Sequence, residues 1–305
     1  MDSRTSGFVD SDGTRLHYLD WGGSGPAMVF LAGMASSAFI FDGFAPRFTD
    51  RFRVVGLTRR GHGDSDHPDD GYDAPTLIED LRRFMDALGI REAILVGHSM
   101  ANVELCGFCA SYPRRVLKLV FLDSAYERSE MMALEEKNPL RLIDRPRPKG
   151  AFSSVEAMMA YNKRILPHLL PIWGDAMEED FRHAVERAPD GTFTYKMNDG
   201  IAQALFVNLT AYVPEYDSLD VPVLSIFSIQ DNFTHELPEY LTLEQRTAAI
   251  EFMETVMLPA QRTAIDRFRL AVPHAKIIEI RQGHHYCFIR EAGLVFDEMR
   301  RFLLD

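Results

Sequence analysis

Residues 97–101 read Gly97-His98-Ser99-Met100-Ala101 and stand between two contrasting patterns. The four residues before them, 93–96, are all apolar, as in a buried β-strand, and residues 103–112 have helical character. A serine between a strand and a helix sits on a sharp turn that holds its hydroxyl in a strained, exposed position. Such a turn closes only around small residues two positions before and after the serine, as Gly97 and Ala101 are. We therefore predict that Ser99 is a nucleophile.

Apolar strands and helices alternate on both sides of this turn, and Asp12-Gly13 marks a hairpin near the start of the chain. Strands separated by helices indicate a mostly parallel sheet that is covered on both faces. The predicted strands are 7–9, 16–19, 28–31, 53–57, 93–96, 116–122, 223–229 and 276–280. The predicted helices are 39–44, 74–88, 103–112, 241–270 as one or two helices, and 293–304.

The strand pattern largely disappears between residues 124 and 216, where helical stretches are interrupted by prolines at positions 139, 146, 148, 167, 171 and 189. We interpret residues 124–216 as a helical cap inserted into a core that residues 1–123 and 217–305 form. Packing inside the cap is the first interpretation of its methionines, and an adaptable apolar lining for a substrate is the second. These methionines are Met131, Met132, Met158, Met159, Met177 and Met197.

A nucleophilic serine needs a base that takes its proton and an acid that orients the base. In a sheet of this kind the acid follows a strand after the serine, and Asp231, just beyond strand 223–229, fits best. Asp123, beyond strand 116–122, is the alternative. The base should follow the last strand, where His284 and His285 are adjacent, so that only one of them faces the serine.

The negative oxygen of a tetrahedral intermediate needs fixed N–H donors. The backbone N–H of Met100, directly after the serine, is one candidate. The second is the N–H of Met34 in the loop after strand 28–31, where Gly33 permits a close approach of the backbone. The pair Met34 and Met100 is the predicted oxyanion hole.

Four segments of the chain resemble motifs of the α/β-hydrolase-fold serine hydrolases, in particular a bacterial esterase-like branch. The resemblance covers nearly the whole chain outside the cap, and it implies that His285, which precedes a tyrosine as in that branch, is the base. Two positions depart from the family pattern, since Ala32 replaces the histidine of an H-G loop and Asn102 replaces a glycine. The segments are Arg59–Asp66, Gly97–Met100 with Glu104-Leu105, Leu122–Tyr126 and His285–Ile289.

The expected function is that of a cofactor-independent serine esterase acting on a small or medium apolar ester. Ser99 argues against dehalogenases and epoxide hydrolases, which would require aspartate at this position. A C–C bond hydrolase, a lactonase, an amidase and a non-catalytic ligand-binding protein of the same fold remain alternatives.

Composition bears on the possible partners, metals and location of the protein. The 305 residues carry a net charge of −12, which argues against a nucleic-acid partner. No run is long and apolar enough for a membrane span, and three cysteines without a signal sequence suggest a cytoplasmic protein. We expect no metal, because nothing fixes the geometry of His62, Asp64, Asp66 and His67. The sequence leaves the oligomeric state open.

Overall fold

The computed structural model describes residues 4–139, 152–230 and 237–305. Within them, eight strands form one sheet in the order β1-β2-β4-β3-β5-β6-β9-β10, and β7 and β8 form a separate pair. Strands β1 and β2 form an antiparallel hairpin, β2 is antiparallel to β4, and the six strands from β4 to β10 run parallel. The strands are β1 Thr5–Ser11, β2 Thr14–Gly22, β3 Ala27–Leu31, β4 Arg53–Leu57, β5 Ala93–His98, β6 Val116–Leu122, β7 Val185–Arg187, β8 Phe193–Tyr195, β9 Val223–Ile229 and β10 Lys276–Arg281.

Helices connect the parallel strands and cover both faces of the sheet. They are α1 Ala74–Ala87, α2 Asn102–Ser111, α3 Arg128–Glu135, α4 Val155–Ile165, α5 Asp175–His183, α6 Asp199–Ala211, α7 Leu243–Phe252, α8 Leu258–Ala271, α9 Cys287–Arg290 and α10 Ala292–Leu304. Alternate residues of one strand enter different cores: Val29 and Leu31 of β3 lie in one buried cluster, Met28 and Phe30 in the other. The predicted α/β-hydrolase architecture, a mostly parallel sheet flanked by helices, is confirmed.

Two predicted helices differ in detail. Residues 39–44 do not form one helix that ends before Pro46; the chain makes two short 3₁₀ segments, Ala38–Phe41 and Ala45–Phe48, and Pro46 lies in the first turn of the second. Proline is tolerated there because its missing N–H would have no partner inside the helix. The predicted helix 241–270 is a helical stretch from α7 to α8 with a π-helical turn, Met253–Met257, between them.

The segment between β6 and β9 holds α3 to α6 and the hairpin of β7 and β8. The division of the chain into a core and an inserted cap stays a prediction. That hairpin was not predicted, because strands of three residues are too short to show an alternating pattern. The turn between them contains Gly191, with a φ of 87° that favours glycine.

A buried ion pair fixes the loop after β4 to α1. The Arg60 guanidinium donates to both carboxylate oxygens of Asp80, over 2.6 Å from Nε and 2.8 Å from Nη2. The hydroxyl of Ser11 donates to the same carboxylate over 2.6 Å. Because this arrangement satisfies both charges out of water, removal of one partner leaves the other uncompensated.

We expect Asp80→Ala to lower the free energy of unfolding by about 3–5 kcal/mol, since it strands the buried Arg60 charge. Asp50→Ala is the matched control, because Asp50 pairs with Arg300 at 2.6 Å on the surface. Urea unfolding followed by circular dichroism measures both variants. Equal losses in the two variants would contradict a special role for the buried pair.

Candidate active site

Ser99 lies on the tight turn that the sequence predicts, between the end of β5 and the start of α2. Its φ is 55°, in the left-handed region that residues other than glycine rarely adopt. A Cβ at Gly97 would lie 2.7 Å from Leu105 Cδ1 and 2.9 Å from Ala101 Cβ. Glycine at position 97 is therefore a steric requirement of the turn, and the strain at Ser99 is held by the packing around it.

The loop after β3 approaches this turn closely. A Cβ at Gly33 would lie 3.0 Å from Ser99 Cβ and 3.0 Å from His98 Nδ1, so any larger residue would crowd the serine turn. The structure thus brings the loop of Met34 next to Ser99, and Met100 follows Ser99 directly. Both sides of the predicted oxyanion hole adjoin the serine.

A second buried ion pair, between Arg59 and Glu104, supports this arrangement, and sequence spacing did not predict that these two residues would meet. Arg59 Nε donates to Glu104 Oε1, and Arg59 Nη2 donates to the carbonyl oxygen of Ala32 over 3.0 Å. Arg59 follows β4, Glu104 lies in α2, and Ala32 begins the loop of Met34. The pair therefore connects the helix behind Ser99 to the start of that loop.

His285 and Asp123 are hydrogen-bonded partners. His285 Nδ1 lies 2.6 Å from Asp123 Oδ2. Asp123 Oδ1 accepts hydrogen bonds from the Tyr126 hydroxyl over 2.7 Å and from the Ser228 backbone N–H over 3.0 Å. The Asp123 side chain is only 7% exposed, whereas that of His285 is 42% exposed and faces a cavity. A fixed carboxylate on Nδ1 leaves Nε2 as the nitrogen able to take a proton.

Asp231, the predicted acid, lies outside the described residues, and the carboxylate found on His285 belongs to the alternative, Asp123. Sequence spacing does not separate the two, because both follow the carboxyl ends of neighbouring strands. The backbone at Asp123 turns sharply after β6. Its φ is 47°, and its N–H donates to the Ile226 carbonyl over 2.7 Å, so the side chain leaves the strand in the direction of His285. Neither feature is visible in a sequence pattern.

His284 is engaged on both ring nitrogens, away from the serine turn. Its Nδ1 accepts from the Tyr286 N–H over 3.0 Å, so its Nε2 is the donor to the His168 carbonyl, 2.7 Å away. Burial lowers the pKa of His284, which favours this neutral form. The geometry thus favours His285 over His284 as the base.

His98, which precedes the serine, connects the two loops. Its Nε2 lies 3.0 Å from the carbonyl oxygen of His285, and the two rings have centroids 4.5 Å apart. A carbonyl only accepts, so the His98 Nε2 carries the proton. This contact holds the histidine loop beside the serine turn, a role that the sequence did not indicate.

A glutamine from α8 supports the carboxylate partner from behind. Gln261 Nε2 donates to the Tyr126 hydroxyl and to the Ser228 carbonyl, over 2.9 Å in each case. Because the Tyr126 hydroxyl donates onward to Asp123, its orientation is fixed by Gln261. This chain of contacts limits the rotation of the Asp123 carboxylate.

The cavity above the site has a volume of about 630 Å³, and Asp123, His285 and Met34 are in its wall. The apolar part of the rest of the wall comes mainly from side chains between β6 and β9, which supports the second interpretation of Met177 and Met197, a substrate lining. No lysine or arginine belongs to the wall in the described part of the chain. The principal apolar residues from this segment are Leu166, Leu169, Trp173, Met177, Phe181 and Met197.

Titratable groups in the wall are shifted toward their neutral forms. Burial raises the pKa of Asp180 to about 7, against hydrogen bonds from Ser37 and Ser36 that lower it. Burial, with the Arg59 charge, lowers the pKa of His62 to about 3, and burial lowers that of His67. His62 and His67 therefore add little positive charge to the wall near neutral pH.

Other candidate chemistry finds no geometric support. In the described ranges, no group of three His, Cys, Asp or Glu side chains is arranged to hold a metal ion. Cys106 and Cys109 are buried, and burial raises the pKa of both thiols, that of Cys109 to about 11. Thiols in this state are poor redox groups.

None of the described helices is long and apolar enough to cross a bilayer.

Comparisons with known proteins identify the fold family of the chain. Residues 26–245 match the family model described as the alpha/beta hydrolase fold. The chain is similar to 2-(acetamidomethylene)succinate hydrolase of Mesorhizobium japonicum, with 29% identity over 67% of this chain and 70% of that protein. It is also similar to a bifunctional esterase/perhydrolase of Acinetobacter calcoaceticus, 32% identical over 54% of this chain and 58% of that protein.

Among solved structures, E-2-(acetamidomethylene)succinate hydrolase superposes with a TM-score of 0.76 at 22% identity, covering 99% of this chain and 100% of that one. A marine microorganism esterase gives a TM-score of 0.64 at 20% identity, over 94% of this chain and 98% of the other. At these identities the likeness concerns the fold.

The short contact between His285 and Asp123 predicts a strongly deshielded Nδ1 proton on His285. We expect a far-downfield proton resonance that is missing in His285→Ala and that moves upfield or is lost in Asp123→Asn. Proton NMR at low temperature measures it. Asp231→Asn is the matched control and should retain the resonance; loss in Asp231→Asn with retention in Asp123→Asn would assign the orienting role to Asp231.

Proposed function

Since the chain belongs to the α/β-hydrolase fold family of hydrolases, we propose that it is a cofactor-independent serine hydrolase that cleaves carboxylic esters. The observation that carries this proposal is the His285–Asp123 pair beside the strained turn of Ser99. A base with a fixed orienting carboxylate next to a hydroxyl on such a turn is the arrangement needed for acyl transfer.

In this proposal the Ser99 oxygen attacks the ester carbonyl while His285 Nε2 takes the hydroxyl proton. Asp123 keeps the proton on Nδ1 and stabilises the imidazolium that forms. The N–H groups of Met34 and Met100 donate to the negative oxygen of the tetrahedral intermediate. His285 then gives its proton to the departing alcohol, and water releases the acyl group by the same steps.

Asp123, and not Asp231, is the orienting acid in this proposal. This choice is supported by the hydrogen bonds to both Asp123 oxygens, which fix the carboxylate. One oxygen contacts His285, and the other accepts from Tyr126 and Ser228. A carboxylate held in this manner loses little further freedom when the imidazole becomes charged.

The nucleophile is tested by covalent labelling. We expect a fluorophosphonate probe to label the wild type and not Ser99→Ala, and we expect Ser99→Ala to lose p-nitrophenyl ester turnover by about 10³-fold or more. Intact-protein mass spectrometry counts the adduct. Ser124→Ala is the control and should still be labelled. The Ser124 hydroxyl is buried and donates to the Gly97 carbonyl over 3.0 Å, so it is not the hydroxyl that the probe would reach. An unlabelled, inactive wild type would favour a non-catalytic ligand-binding role.

We also propose that the acyl group is uncharged and apolar. The exposed surface of the cavity wall is mainly apolar, no lysine or arginine of the described residues belongs to it, and the Asp123 carboxylate would repel an anion. The relative from Mesorhizobium japonicum is named for a succinate, which is a dianion. A carboxylate buried without a cationic partner costs several kcal/mol, so that substrate class suits this cavity poorly.

Matched esters test the charge preference. We expect kcat/KM for p-nitrophenyl butyrate to exceed that for p-nitrophenyl hemisuccinate by at least about tenfold, because the second ester carries a carboxylate at the end of a similar chain. Initial rates at neutral pH and two salt concentrations measure the difference. A preference for the hemisuccinate would show that a cation reaches the acyl group and would overturn the uncharged-substrate proposal.

A further inference from the structure

Asp180 makes an unusual contact across the cavity. It lies on α5, in the segment between β6 and β9, and it is only 4% exposed. Its Oδ1 accepts from the Ser37 backbone N–H over 2.7 Å and also from the Ser37 hydroxyl. Ser37 ends the loop that carries Met34, so a carboxyl from the inserted segment holds the backbone of the proposed oxyanion loop.

That loop needs support from outside. Ala35 has a φ of 60°, an unfavourable conformation for alanine, and the turn bond from Ser36 N–H to the Gly33 carbonyl is long, at 3.4 Å. A strained turn with a weak internal bond keeps its shape only when its surroundings determine it. Asp180 contacts the end of the loop opposite to Gly33.

The helix of Asp180 is itself anchored to the core. His183 stacks on Phe39, with ring centroids 3.7 Å apart and planes inclined by 9°, and its Nδ1 lies 2.5 Å from Asp64 Oδ2. Glu179, the neighbour of Asp180, pairs with Arg4 at 3.4 Å. Because α5 is fixed at these points, it can fix the loop in turn.

The same cluster extends to the histidine loop. Burial raises the pKa of both Asp180 and Tyr286, and the nearby Ser36 hydroxyl lowers both. Tyr286 directly follows His285. The cluster thus joins the loop of the second oxyanion donor to the loop of the base.

We propose that Asp180 is a positioning residue, which holds the loop of residues 33–37 so that the Met34 N–H faces the oxygen of the tetrahedral intermediate. This inference rests on the proposed function. It adds that the inserted segment completes the catalytic geometry as well as lining the cavity. A donor misplaced by a fraction of an ångström loses much of its effect on the transition state and little of its effect on substrate binding.

The test compares Asp180→Ala with Asp180→Asn. We expect Asp180→Ala to lower kcat for p-nitrophenyl butyrate by about 10- to 100-fold, with KM changed by less than about threefold. Asparagine keeps an oxygen that accepts from Ser37, so Asp180→Asn should keep kcat within about threefold. Arg182→Ala is the matched control and should behave as the wild type, because Arg182 lies on the same helix but is exposed and pairs with Glu156 at 3.4 Å.

An inhibitor separates positioning from packing. An alkyl trifluoromethyl ketone forms a tetrahedral adduct with a nucleophilic serine, whereas the matching methyl ketone binds mainly as the intact carbonyl. We expect Asp180→Ala to weaken the binding of the trifluoromethyl ketone by the same factor by which it lowers kcat/KM. The affinity for the methyl ketone should stay within about threefold of the wild type. Equal weakening of both ketones would assign Asp180 a packing role and overturn the proposal.

Folding is checked by circular dichroism and thermal unfolding. If Asp180→Ala does not fold, Ser37→Ala replaces it in the test, because this variant removes one of the two donors to Asp180 Oδ1. An unchanged kcat and an unchanged affinity for the trifluoromethyl ketone in Ser37→Ala would refute the inference. A wild type without labelling or turnover would refute the proposed function instead, so the two failures are distinguishable.

Discussion

The hydrogen bond between His285 Nδ1 and Asp123 Oδ2 is the interaction on which the site depends. It sets which imidazole nitrogen is available as a base, and it joins two residues that are 162 positions apart in the chain. The bond forms because β5, β6, β9 and β10 are consecutive in the sheet and parallel, so their carboxyl ends meet at one edge. Catalytic groups from distant parts of the sequence converge there for this topological reason.

Burial divides the histidines of the site into two kinds. His284 and His62 are buried, their pKa values are lowered, and each has a ring nitrogen bonded to a backbone group. Such rings are structural donors and acceptors whose charge state does not change near neutral pH. His285 is the more exposed ring and has a carboxylate partner, so the site contains one histidine suited to proton transfer among several suited to holding loops.

Much of this could be predicted from the sequence. The apolar runs located β6 and β9 residue for residue, and the serine turn, with its glycine, followed from the small residues around Ser99. The choice between Asp123 and Asp231 did not follow, because it depends on backbone direction after a strand and on contacts from Tyr126 and Ser228. Side chains that act through loop backbones, such as His98 and Arg59, have no spacing signal, since their partners are carbonyl groups of distant residues.

Because α5 contacts the loop after β3, the inserted segment both lines the cavity and contacts that loop. The segment supplies apolar residues of the cavity wall, and through Asp180 it also contacts the loop of Met34, the proposed oxyanion donor. A substrate that shifts α5 would therefore disturb the donor geometry, whereas one that fits the cavity would leave the loop in place. In the proposed arrangement, selectivity is expressed in the rate of the chemical step as well as in binding, because α5 contributes to the cavity wall and also contacts the loop of Met34 through Asp180.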